Sequence, residues 1–206
     1  MFKIDEQIPN NCIRIVGSFK YLIGTFVNQY QKVFGEICLE TRRRSDVRDV
    51  CRVIVPIEQI YNAGELTEGD RLEIIGEVRS LSYLDEESNS HFKIYIHAIS
   101  FSRSEEEHDI NDVGLIGYVA KPPIYRVTPM GREIADLRIA VYRKSGKADF
   151  LPCVVWGRNS RFAQNLEVGK LVKLQMGRLQ SRLKTDACGN DKVLYDISFG
   201  IITEIS

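Results

Sequence analysis

The stretch Asp149–Gly157, DFLPCVVWG, decides the reading. Successive side chains of an extended strand point to opposite faces. Leu151, Cys153 and Val155 then share one apolar face, which suits a core. Phe150, Pro152, Val154 and Trp156 share the other, and Trp156 is the only tryptophan of the chain. Two large aromatics on the face that the core does not need make either a ligand platform or an interface.

The same run begins one hundred residues earlier. Asp49 opens DVCRVIV where Asp149 opens DFLPCVV. NCIRIVG starts at Asn11 and NDVGLIG at Asn111; Gly69 opens GDRLEIIGEVRS and Gly169 opens GKLVKLQMGRLQS. A constant offset across three anchors reads as two tandem copies of one fold. The second copy holds one extra residue before its next glycine, at Gly177 against Gly76, which predicts a bulge or a changed loop. The expected domains are 1–102 and 111–206, joined by the acidic stretch 103–110 as a short solvated linker.

The second copy shows strand-like runs at Val113–Val119, Glu133–Tyr142, Phe150–Trp156, Leu171–Gln180 and Leu194–Thr203. A short helix is expected between the third and fourth, with Phe162, Ala163 and Leu166 on one face and Asn159 or Ser160 as its cap. The first copy offers Ile57, Ile60 and Tyr61 at the equivalent place. Five strands with a helix after the third predict an all-β fold of two tandem OB-fold barrels, five-stranded and Greek-key. Other small barrels share the strand count.

Composition narrows the classes. The 206 residues hold 28 Lys+Arg and 28 Asp+Glu, a net charge of zero. The halves differ: residues 111–206 carry 15 basic and 9 acidic residues, residues 1–110 carry 13 and 19. The second half therefore attracts a polyanion and the first does not by bulk charge. No uninterrupted apolar run approaches the roughly 20 residues that span a bilayer, and no membrane partner is expected. MFKIDEQIPNN lacks the apolar core of a secretory signal. Five cysteines (Cys12, Cys38, Cys51, Cys153, Cys188) without a C-x-x-C pair suit reduced thiols in a cytosolic protein. No phosphate-binding glycine loop, zinc-protease motif or nucleophile elbow occurs, and His91, His97 and His108 lack partners at ligand spacing. An enzyme, a metal and a cofactor are not expected.

Basic residues surround the Phe150–Trp156 face. Arg143, Lys144 and Lys147 lie in YRKSGKAD, Arg158 follows Trp156, Lys121 and Arg126 precede the second strand, and Arg178 and Arg182 share a face opposite Leu179. These residues suit phosphates. Tyr125 and Tyr142 are further candidates for stacking. In the first copy Val50 and Pro56 replace Phe150 and Trp156, so the platform is expected to be lost there. Arg43, Arg44 and Arg52 remain as weaker contacts.

NDVGLIGYVAKPPIYRVTPMG, LRIA, DFLPCVVWG and GRLQSR together resemble, in order and spacing, the bacterial single-stranded-DNA-binding (SSB) family over Asn111 to about Arg182. The carrying residues at the start are Asn111, Gly117, Lys121, Pro123, Arg126, Thr128 and Gly131. The resemblance implies that Phe150 and Trp156 stack on bases, with no covalent step. It further implies sequence-independent binding of single-stranded DNA in replication, recombination or repair, and a homodimer supplying four OB domains around the strand. Lys184, a further candidate contact to nucleic acid, stands where the family usually has another aromatic. The chain stops at GIITEIS, still in strand pattern, so recruitment through an acidic tail is not expected. RNA binding and a protein-assembly module with secondary nucleic-acid contact are the alternative readings.

Overall fold

The computed structural model describes residues 9–85, 87–88, 90–185 and 191–205. Cys188 lies outside them. The chain forms two compact units. The first-repeat unit comprises Ile13–Asp112 together with Leu179–Tyr195; the second-repeat unit comprises the residues up to Cys12, Val113–Arg178 and those from Asp196 onward.

The first-repeat unit is built from β1 (Asn11–Val27), β2 (Val33–Arg42), β3 (Arg48–Pro56), α1 (Ile57–Asn62), β4 (Arg71–Leu84) and β5 (Ser90–Arg103). β1 pairs antiparallel with β2 and β4, β2 with β3, and β4 with β5, while β3 and β5 run parallel. Each strand thus has two neighbours and the sheet closes on itself. The second-repeat unit is built from the greater part of β6 (Ile110–Val119), β7 (Ile124–Val127), β8 (Glu133–Tyr142), β9 (Ala148–Trp156) and α2 (Arg158–Ala163), with β10 (Leu171–Thr185) up to Arg178 and β11 (Asp191–Glu204) from Asp196. Its ring follows the same order: β6 pairs with β8 and β10, β8 with β9, β9 parallel with β11, and β10 lies beside β11. Both units are OB-folds, closed so that few strand edges remain bare.

Alternation drives the closure. Along β9, Leu151, Cys153 and Val155 are at most 1% exposed, with Leu115, Ile139, Leu174 and Phe199 beside them in the core. The first-repeat core holds Ile13, Ile15, Ile37, Leu39, Val53, Leu72, Ile74 and Ile96, all fully buried.

Several details differ from expectation. β7 is a separate short strand paired with β8; YRV alone is too brief to show a period. The extra residue before Gly177 is a bulge: the β10–β6 register slips between Leu174 and Gly177, and Met176 takes a φ of 54°. Neither Asn159 nor Ser160 caps α2. Gly157 occupies the cap with a φ of 57°, and the Ser160 hydroxyl donates to the Gly157 carbonyl at 2.6 Å. Ala163 and Leu166 are buried but Phe162 stays exposed, because a helix of six residues turns only one short face inward. In α1 no residue is buried, and Tyr61 is exposed.

The stretch after β5 is exposed from Glu105 to His108 and is tied to the first barrel by a few polar contacts. Asp109 pairs with Arg71 and accepts the Arg42 amide, and the Glu106 carbonyl accepts from Arg71 Nε at 3.2 Å. The repeat boundary and the packing boundary also differ. Within the first-repeat unit, Leu179 is gripped by Asn111, whose amide donates to the Leu179 carbonyl and accepts its N–H, both at 2.9 Å. Ser181 donates its N–H to Asp49 at 2.8 Å and its hydroxyl oxygen accepts from the Val50 amide at 2.8 Å.

Candidate nucleic-acid interface

The interface is assembled on the outer face of β8 and β9 in the second-repeat unit. Cross-strand register places Ala140 opposite Phe150, Arg138 opposite Pro152, Asp136 opposite Val154 and Ile134 opposite Trp156. β7 adds Arg126 beside Ile134. Phe150 is 49% exposed and Trp156 36%, so both rings lie at the surface and outside the barrel core. The Trp156 indole N–H donates to Ser198 Oγ at 2.7 Å. Its polar edge is therefore satisfied, and the ring is held by that edge.

The face extends past Phe150. Tyr142 follows Ala140 on the same side of β8, and it meets Tyr118 of β6 edge-to-face with ring centroids 5.9 Å apart. Tyr125 points to the opposite side, where its hydroxyl donates to Glu133 at 2.6 Å. Glu133 also accepts from Arg161 at 2.8 Å, and the Arg161 bond followed by the Tyr125 bond holds its carboxyl below the usual carboxylate range.

The cations divide into two groups. Arg143 binds Asp149 through Nε at 2.7 Å, and that carboxylate is 1% exposed. Arg126 forks onto Asp136 at 2.6 and 3.1 Å, which raises the guanidinium pKa further through the hydrogen bond. Lys121, Lys144, Lys147 and Arg158 are exposed and hold no ion pair among the described residues. Lys144 and Lys147 flank Gly146, whose φ of 81° makes the β8–β9 turn. Arg178 is half-buried on the outward side of β10, between buried Gly177 and Leu179. Arg182 and Lys184 are exposed, but they belong to the first-repeat unit.

Two members of the face escape sequence reasoning. Arg138 sits between the rings, its Nη1 3.3 Å from the Phe150 carbonyl. Its signal was present, because it alternates with Leu137 and Ile139 in a core strand. Tyr118 alternates likewise with Gly117 and Val119.

Asp149 and its repeat partner Asp49, though each stands at a strand start, are both buried. Asp49 holds Arg43 at 2.8 and 2.6 Å, matching the Arg143–Asp149 pair one hundred residues on. Arg52 pairs with Glu36 at 2.8 Å, while Arg44 is exposed in its turn. Among the described residues, no cluster of His, Cys, Asp or Glu fits a metal, and no helix is long and apolar enough to cross a membrane.

Comparison with known proteins places this face in context. The model of the Single-strand binding protein family matches residues 110–202. Single-stranded DNA-binding protein 1 of Clostridium acetobutylicum is 33% identical over 96 residues, which are 43% of this chain and 86% of that protein. Single-stranded DNA-binding protein A of Bacillus subtilis is 40% identical over 80 residues, 35% of this chain and 46% of that one. The chain spans about half the length of most of the curated relatives it matches. The crystal structure of the wild-type single-stranded DNA binding protein from Thermus aquaticus superposes with a TM-score of 0.75 at 19% identity, over 95% of this chain and 93% of that one. That likeness carries the fold of both units, and the sequence matches carry the kinship of the second: the chain belongs to the single-strand binding protein family.

Proposed function

We propose that this chain binds single-stranded DNA without sequence preference, using the outer face of β8 and β9 with the β8–β9 turn. One observation carries the reading: Phe150 and Trp156 lie open on a single strand face, with Trp156 braced by Ser198. The names of the bacterial relatives support it.

Magnitudes assign the parts. Stacking on an aromatic is worth about 1–3 kcal/mol per base. Two rings then give about 2–6 kcal/mol, short of the roughly 8 kcal/mol of micromolar affinity. Phosphate contacts supply the balance. Lys144, Lys147, Arg158 and Lys121 are first in line for them, because Arg126 and Arg143 already neutralise carboxylates. Arg138, Arg178 and Tyr142 complete the surface. The role is protection of unpaired strands during replication, recombination or repair, in the bacterial cytosol, with the second domain as the main binding domain. Two chains would bring four OB domains to one strand, and sedimentation at micromolar concentration reads that homodimer against a monomer.

Fluorescence anisotropy of a labelled oligo-dT, with unlabelled competitors, tests the function. Mixed-sequence single strands should compete and a duplex should not. Equal competition by the duplex would defeat the reading; preference for single-stranded RNA would reassign it to RNA.

A further inference from the structure

Four arginines meet in a polar cavity of about 430 Å³ on the first-repeat unit. Arg42 ends β2, Arg43 and Arg44 begin the turn after it, and Arg71 opens β4. Register sets Ser18 of β1 opposite Glu40 of β2 on one side and Arg71 on the other. Ser18 lies between the buried residues Gly17 and Phe19, so it points outward and forms the floor of the cavity.

The cavity already holds an anion, and that anion belongs to the chain. The Asp109 carboxylate pairs with Arg71 and accepts the Arg42 amide at 2.5 Å, with 18% of its side chain exposed. A guanidinium and a backbone N–H converging on one carboxylate are also the donor set that suits a phosphate. Donors remain to spare. Arg71 Nη2 is buried with no hydrogen-bond partner among the described residues, and Arg44 is exposed with no ion pair among them. Arg43 is spent on Asp49, and Glu40 is neutralised by Arg48 at 3.4 Å.

The barrel closes without this seat. At the same register positions the second unit carries Tyr118, Tyr142 and Leu171 in place of Ser18, Arg42 and Arg71, and its ring of strands is the same. The occupant hangs on a light tether: Asp109 follows exposed Glu105–His108, where the Glu106 carboxylate reaches only Arg14, at 3.6 Å.

We propose that this cavity is a phosphate-binding seat latched by the chain's own acidic linker. Asp109 sits in it as a stand-in anion, and phosphate groups of an incoming polyanion displace that carboxylate to engage Arg71, Arg44 and the Arg42 amide. Glu107 also lines the cavity and repels the incoming phosphate, so the latch strengthens as salt falls. The seat holds phosphate whether or not the β8–β9 face binds a strand.

Sodium tripolyphosphate added to the full ¹⁵N-labelled chain should shift the Arg42 N–H and Arg71 Nε–H signals saturably. Asp109→Asn with Glu107→Gln removes the latch charge and keeps the shapes; it should lower the half-saturating concentration at least about threefold. Glu58→Gln with Glu65→Gln removes the same charge from exposed positions of the same unit away from the cavity, and should change it less than about 1.5-fold. Arg71→Met should abolish the shift at Arg42, with a melting transition near the parent's confirming the fold. Oligo-dT in place of tripolyphosphate separates the sources: the same shifts and the same gain identify strand phosphate, and a response to tripolyphosphate alone identifies free polyphosphate. Signals unmoved by tripolyphosphate in both the parent and the latch variant would overturn the seat. A latch variant that gains no more than the control variant would overturn the latch.

Discussion

Trp156 shows how one hydrogen bond holds a surface ring in place. An exposed indole without a partner would sample several rotamers, and each binding event would then cost the entropy of fixing it. The 2.7 Å bond to Ser198 fixes the ring beforehand. Trp156→Ala should therefore lose the whole stacking increment of about 1–3 kcal/mol, a roughly five- to 150-fold rise in Kd for oligo-dT by anisotropy. A change below about twofold would contradict the platform. Phe150 and Trp156 were legible in the sequence because a two-residue period separates them cleanly from Leu151, Cys153 and Val155. Arg143 was not legible. Its place in the turn YRKSGKAD suits a phosphate, but a carboxylate six residues on, buried by barrel closure, claims its guanidinium. No local pattern announces that burial.

At the scale of elements, the paired aspartates explain part of the hundred-residue repeat. Each barrel folds its second strand onto its third through a tight turn, and the arginine that opens the turn reaches back to the aspartate that ends it. The left-handed residue of each turn is Gly146 in one copy and Asp46, at a φ of 66°, in the other. Removing one partner of a buried pair leaves the other uncompensated, at a cost of about 3–5 kcal/mol. Arg143 keeps about a quarter of its side chain exposed, so the lower end applies. Asp149→Ala should lose about 3 kcal/mol in denaturant unfolding; a loss under about 0.5 kcal/mol would mean that the pair is only decorative.

Burial also sets an alkaline limit. It pushes the Cys153 thiol above its ordinary value, and it raises the Tyr195 hydroxyl to about 12. Both groups keep their protons in the folded chain at pH values where the unfolded chain loses them. Their contribution is intact below the ordinary thiol value near 8.5 and declines as pH rises, with the Tyr195 share lost through about pH 12. The denaturant midpoint should fall between pH 8 and pH 10.5, and Cys153→Ala should flatten the early part of that fall. A midpoint rising over this range would contradict the assignment.

For the whole molecule, the constant offset of one hundred residues makes the tandem architecture legible in the sequence. Barrel closure followed from strand count and helix position. The sequence was silent where tertiary contact decides. β10 and β11 run on to Thr185 and from Asp191, and Leu179–Tyr195 packs with the first-repeat unit through Asn111 and Asp49.

The basic surplus of residues 111–206 favours a polyanion on the second repeat, where the proposed binding uses local lysines and open rings. Titrating the parent protein with oligo-dT while following Trp156 fluorescence, at low and at high salt, tests that mode of binding most directly. The account predicts strong saturable quenching whose affinity falls as salt rises; an emission that stays constant while oligo-dT binds would contradict it.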